Sequence, residues 1–292
     1  MLHVTPLHPL FAARVEGLDL RQPLEPALRQ RLVAAMDEYA VLVFPDQALN
    51  DDQQVAFGAS FGPLEPDPSV VGNDKRRVGH PAMNDISNLN SAGEILALDD
   101  RRRFNNLGNL LWHSDSSFKA TPASYSLLHA RVIPPSGGET EFADMRAAWD
   151  ALPAAMQDRI RDMVCQHSLI YSRAAMGFEG FTPEEMARRV PVLQRLVRRH
   201  PGSGRLVMYL SAHIGTIEGW QRPEAVALIR DLAEHATQRQ FVYRHTWRQH
   251  DLVMWDNRCT MHRGRPYDDK RFPRDMRRVT LQDTGPTLDQ PV

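Results

Sequence analysis

Seven short strand-like runs constrain this chain more than any other feature: YSLLHARVI, ETEFA, VCQHSLIY, RLVMYLS, FVYRHTW, DLVMWDN and RRVTLQD, each closed off by turn residues. Helical patterns fall around these runs instead of alternating with them. Residues 27–39 carry apolar positions at helical spacing and lead into AVLVFP, which reads as a buried strand. Asn50, with Gln53 three residues on, starts a helix expected to reach about Phe61. Two helices abut at Pro153 within residues 144–163, Thr182-Pro183 opens another, and one more spans Pro223 to about Ala236. A chain of many short strands with helices outside them closes its sheet edges by forming a sandwich or jelly roll. The expected fold is therefore mainly β with flanking helices. With no internal repeat and no Pro/Gly-rich linker, residues 1–292 form a single domain.

Composition narrows the class of partner. A formal net charge of -1 gives no field for nucleic acid or an anionic membrane, so a small molecule is the expected partner. The two cysteines, Cys165 and Cys259, are far apart and in no CxxC pattern, which argues against a disulfide framework or a structural zinc site. No run is long and apolar enough to span a membrane, and the first residues carry no cleavage signature. The expected setting is the cytoplasm.

The chemistry concentrates in two places. In WHSDSSF, His113 and Asp115 lie two positions apart, so an extended backbone would project both from one face. A third ligand from elsewhere would complete a two-histidine, one-carboxylate facial set, the arrangement of non-haem Fe(II) oxygenases. His262 is the best candidate, because it follows an apolar strand and precedes an arginine-rich segment suited to an anion pocket. Taken alone, the His-x-Asp pair is a weak signal, and a pair of surface polar residues is the commoner reading. The arginines (Arg263, Arg265, Arg271, Arg274, Arg277, Arg278) read alone as a solvated basic surface or a phosphate patch. Gly137-Gly138 is too short for a phosphate-binding fingerprint and is read as a hairpin turn delivering Thr140. Trp112 and Trp255 are read as core residues beside the metal.

Taken together, WHSDSSF, PPSGGETEF, WDNRCTMHRGRPYD and RDMRR resemble the motifs of the taurine/2,4-dichlorophenoxyacetate dioxygenase family, and the similarity runs over most of the chain. It is closest to the branch that opens aryloxyalkanoate ethers. The resemblance implies a double-stranded β-helix, with Fe(II), 2-oxoglutarate and O2 as cofactor and cosubstrates. It implies that His113, Asp115 and His262 hold iron, that Thr140 and Arg274 bind the distal carboxylate of 2-oxoglutarate, and that Arg278 grips the acid group of a small anionic substrate. Arg274 follows His262 by one position more than the family spacing, so Arg277 is a rival for either arginine role. Asn109, His200 and His213 sit in matching segments and are carried over as substrate-pocket residues, each with a structural hydrogen-bonding role as the alternative.

The activity implied is hydroxylation of the carbon beside the ether oxygen of an aryloxyalkanoate, releasing a phenol and an oxo acid together with succinate and CO2. A homo-oligomer is usual for the family. The rival within enzymes is the same chemistry on taurine, an alkylsulfonate or another natural acid. The rival outside redox chemistry is a zinc hydrolase or a non-catalytic metal-binding jelly roll. Residues 66–108, expected to form a pocket loop, match the family least, which leaves aromatic and enantiomer preference unread.

Overall fold

A computed structural model describes residues 2–66, 77–178, 180–290 and 292 of the chain. Its centre is a seven-stranded sheet in which Leu252–Asp256 lies between Val41–Phe44 and Ala123–Val132, and Asp275–Gln282 lies between Ala123–Val132 and Met83–Ser87. A second sheet of three strands places Thr140–Asp144 between Val242–His245 and Thr260–Gly264. This two-sheet, mainly β architecture with helices outside is the expected jelly roll.

Alternation along the central strands explains the layering. Leu42, Phe44, Leu252 and Met254 point to one face and pack with Leu32, Met36 and Phe57 of the helices Pro26–Tyr39 and Asp51–Ala59. Val41, Val43, Val253 and Trp255 point to the other face and meet Phe142 from the second sheet. A strand covered on both faces reads as an unbroken apolar run, which is how AVLVFP and DLVMW appear in the sequence. A third core, built from Trp149, Ile160, Val197, Leu228 and Leu232, joins the helices Met145–Asp150 and Arg222–Ala236 to the smaller sheets.

Several sequence expectations hold at the level of individual residues. The Asn50 side chain accepts from the Gln53 amide while the Gln53 side chain accepts from the Asn50 amide, although the helix stops at Ala59 instead of about Phe61. Such a cap stabilises a helix start by about 1 kcal/mol. Thr182 and Glu185 repeat the motif at Pro183–Ala187.

Two expectations change. VCQHSLIY is strand only over Val164–His167; Ser168 then caps the helix Leu169–Ala174 by accepting from the Ile170 amide. Gly137-Gly138 is not the turn of a hairpin. The strands it connects, Ala123–Val132 and Thr140–Asp144, belong to different sheets, so the pair turns the chain across the sandwich. Both glycines have φ near +75°, and a Cβ on Gly137 would stand 2.6 Å from the Pro266 carbonyl oxygen.

Candidate active site

The WHSDSSF segment is not an extended strand. His113 makes one isolated antiparallel bridge to His262, with both backbone N–H···O bonds formed, at 3.0 and 2.8 Å. The chain then turns through Ser116, at φ +54°. Ser114 is tied down in between, its hydroxyl donating to the carbonyls of Leu210 and Thr260. Bridge and turn, not strand alternation, therefore bring His113 and Asp115 to one point.

The result is a buried triangle. One donor atom from each of His113, Asp115 and His262 lies within 4.8 Å of the others. Each histidine Nε2 faces a different Asp115 oxygen at 3.8 Å, too far for a hydrogen bond. Two ligands bonded to one transition-metal ion at about 2.1 Å stand roughly 3 to 4 Å apart, so these separations fit an ion between them. Burial drives His113 below its ordinary pKa, and burial reinforced by His113 drives His262 well below it. Both rings are thus neutral at pH 7, with lone pairs available to a metal. The His113 Nδ1, bonded to the Leu111 carbonyl at 2.7 Å, fixes its ring so that Nε2 points inward.

Asp115 is held from three sides. Burial alone would raise its pKa, but Arg278 and the two histidines keep the carboxyl well below the usual range. Arg278 Nη1 donates to Oδ1 at 2.6 Å and the Ser126 hydroxyl to Oδ2 at 2.7 Å. Asn257 completes the clamp: its side-chain oxygen accepts from the Asp115 amide and from Trp255 Nε1, and its amide nitrogen donates to Ser126. Sequence reading missed Ser126 and Asn257. Their signal was a polar residue inside an apolar strand and an Asn closing the WDN run.

Thr140 stands on the same face as His262, because His262 pairs across from Phe142 and Gly264 from Thr140. Its hydroxyl accepts from Trp247 Nε1 at 3.0 Å. Arg274 reaches toward this end. Gly138 lies against it: a Cβ there would stand 3.4 Å from Arg274 Nε. Arg274 has no carboxylate partner among the described residues, and burial lowers its pKa, opposed only by Tyr267. A buried cation without a counter-ion calls for an anion. Asn88 pins the longer link ahead of it, accepting from the Arg274 amide and donating to the carbonyls of Asp269 and Phe272.

Arg277 drops out as a rival. Its Nη1 pairs with Asp275 and, at 3.4 Å, with Asp85, in a cluster that also takes in Arg77. Arg263 and Arg265 lie against Glu141, and Arg263 also stacks over Trp112 at 4.6 Å. The arginine-rich segment is therefore divided between ion pairs and the site, not one basic surface.

A cavity of about 660 Å³ opens in front of the triangle, lined by His113, Asp115 and Arg278 and also by Asn109 and His213. His213 Nδ1 is bonded to the Ser172 hydroxyl, and its ring packs edge-on to Phe118. His200 does not line this cavity. It lies fully buried elsewhere, bonded to Asp256 at 2.9 Å and Ser203 at 2.9 Å, so its expected place in the pocket is corrected to a structural one. Of the expected pocket loop, residues 67–76 lie outside the described residues, while Val78, Met83, Ile86, Leu89 and Leu96 are apolar members of the cavity lining.

Comparisons with known proteins give the chain's family and relatives. Residues 3–280 match the model of the taurine catabolism dioxygenase TauD, TfdA family. The chain is 46% identical to an alpha-ketoglutarate-dependent 2,4-dichlorophenoxyacetate dioxygenase of Cupriavidus pinatubonensis, covering 95% of this chain and 96% of the relative. It is 36% identical to an (S)-phenoxypropionate/alpha-ketoglutarate-dioxygenase of Sphingobium herbicidovorans, over 91% of this chain and 90% of that one. Among solved structures, AAD-2 in complex with Mn(II) and N-oxalylglycine superposes with a TM-score of 0.91 at 51% identity, covering 99% of this chain and all of the other.

Proposed function

Since the chain belongs to the TauD, TfdA family and is an alpha-ketoglutarate-dependent dioxygenase, we propose that it oxidises aryloxyalkanoic acids at the carbon beside the ether oxygen, releasing a phenol and an oxo acid. The observation that carries the reading is the triangle of His113, Asp115 and His262 with the uncompensated Arg274 beyond it: three metal donors and one buried cation awaiting a diacid. We assign the triangle to Fe(II), and Thr140 and Arg274 to the distal carboxylate of 2-oxoglutarate, for which an arginine fork offers two parallel charge-assisted bonds. O2 is the oxidant: when bound, iron would activate it and 2-oxoglutarate would be its co-reductant, one oxygen atom going to succinate with loss of CO2 and the other to the substrate carbon.

The residues of the chain do the rest. Ser126 and Asn257 hold the Asp115 carboxylate in one orientation, and the Leu111 carbonyl holds His113. The apolar members of the lining, Val78, Met83, Ile86, Leu89, Leu96 and Phe118, suit an aromatic ring, and this favours an aryl substrate over taurine. Arg278, where triangle and cavity meet, faces the acid end, with Asn109 and His213 on the lining. Fixing the acid end determines which C–H bond is presented to the metal. Cys165 and Cys259 are buried free thiols and no described helix is long and apolar enough to cross a membrane; a cytoplasmic homo-oligomer is part of the proposal.

The test is anaerobic titration of the apo-protein with Fe(II) and 2-oxoglutarate, followed by 2,4-dichlorophenoxyacetate and taurine in separate samples. A weak visible charge-transfer band that only the aryloxy acid perturbs is the expected result. A band perturbed by taurine alone moves the substrate to sulfonates, and no band, with zinc supporting activity instead, overturns the reading.

A further inference from the structure

The cavity contains more cations than a neutral substrate would need, and most of them are already answered. Among the described residues, Arg77 is paired with Asp85 and Asp275, Arg101 with Glu185, Lys119 with Glu65, and Arg278 with Asp115. Arg173, at the last turn of the helix Leu169–Ala174, is not. Its Nε donates to Asn105 Oδ1 at 2.9 Å and its Nη1 to the Ser172 hydroxyl at 3.3 Å, both neutral acceptors. No described carboxylate pairs with it, and Nη2 has no hydrogen-bond partner among the described residues. Burial, with Arg189 adding to it, pulls its pKa down to about 10.

The fork is seated on bare backbone. A Cβ on Gly108 would stand 2.2 Å from Arg173 Nη1 and 2.6 Å from Cζ, so any side chain there would evict the guanidinium. Gly108 and Arg173 both line the cavity that holds His113, Asp115 and Arg278. Asn105 and Ser172 therefore hold a charged, bidentate donor in place without neutralising it. The protein keeps a partly buried charge unpaired only where something else supplies the counter-charge.

Resting on the function proposed above, we propose that Arg173, seated against Gly108, binds the anionic group of the substrate and sets the preference for acids over neutral analogues. The acid end then lies toward the helix Leu169–Ala174. Arg278, committed to Asp115, contributes from the metal side, while Arg173 supplies the Nη2 end of its guanidinium and an uncompensated charge. Gly108 becomes a specificity-determining position, because its missing side chain is what lets the fork stand there.

The experiment uses the Fe(II)- and 2-oxoglutarate-loaded enzyme with 2,4-dichlorophenoxyacetate and its uncharged amide, comparing wild type with Arg173→Gln, Arg173→Lys, Gly108→Ala and Arg278→Gln. The ratio of kcat/KM for acid over amide is the readout, since a merely structural defect lowers both terms. Arg173→Gln is expected to lower the ratio about 30-fold or more, mainly through KM for the acid, the scale expected for removing one partner of a desolvated charge pair. Arg173→Lys should recover part of it, and Gly108→Ala should imitate the loss. An unchanged ratio in Arg173→Gln, or a loss confined to Arg278→Gln, overturns the proposal. A wild-type enzyme that consumes no 2-oxoglutarate with any aryloxy acid overturns the function itself, an outcome visible before any variant is made.

Discussion

Among the described residues, two buried clusters combine histidine and aspartate within 4.8 Å, and a single stretch of chain, Asp256 to His262, contributes to both. In one, His200 sits 2.9 Å from Asp256, and Arg258 closes on the same carboxylate with bonds of 2.9 and 2.6 Å. Both His200 nitrogens are bonded. Burial opposes charge on this ring, but Cys259 and the Asp256 carboxylate beside it hold its pKa up to about 10. In the other cluster the histidines face Asp115 at 3.8 Å with Nε2 unbonded, and their pKa values fall. The difference of about an ångström decides the chemistry. A histidine in contact with a carboxylate becomes an imidazolium in an ion pair, whereas one held just out of contact stays a neutral ligand with a gap wide enough for an ion.

Replacing one ring in each cluster is the severest way to break this comparison. His262→Ala is expected to weaken Fe(II) binding by more than about 100-fold, while His200→Ala alters it by less than about 3-fold. Equal losses in the two titrations would mean that the clusters do not differ as described. Asp256→Asn should cost about 3 to 5 kcal/mol of stability in denaturant unfolding, because it leaves Arg258 and His200 buried without their counter-charge. Iron affinity in the folded fraction should survive.

A pH profile sharpens the contrast further. His200 has its pKa raised from 6.5 in the unfolded chain to about 10 in the folded one, so it contributes stability that is complete below pH 6.5 and is lost as pH climbs through about 10. In His200→Gln this alkaline decline should flatten; a decline of wild-type steepness there would assign it to another group. The smallest effect belongs to the support of the metal site. Ser126→Ala removes the 2.7 Å bond to Asp115 and should weaken Fe(II) about 10-fold, with a melting curve close to wild type.

Sequence patterns revealed one half of each contrast better than the other. The two-faced strands around Leu42 and Met254 were legible because burial on both sides leaves an unbroken apolar run, and the caps at Asn50 and Thr182 were legible because their signals are local. The helix Leu169–Ala174 was not, since a short apolar run after Ser168 looks the same in a strand. The residues expected at the metal come together in space, but by a bridge and a turn at Ser116 that no periodicity announces. His200 was misplaced for a deeper reason. Whether a histidine is paired or held 3.8 Å off is a matter of tertiary distance, which the residues flanking His200 do not reveal. Arg173 was passed over because its meaning lies in partners it lacks.

The bridge between His113 and His262 also bears on how the protein comes to exist. Its two ends are half the chain apart, so nothing resembling the metal triangle can form until the last strands have closed onto the sandwich. A growing polypeptide carries His113 and Asp115 early, but the third donor joins them only with the late strands. Once the triangle is made, an ion bound there would tie the early and late parts of the sequence together and lengthen the lifetime of the fold.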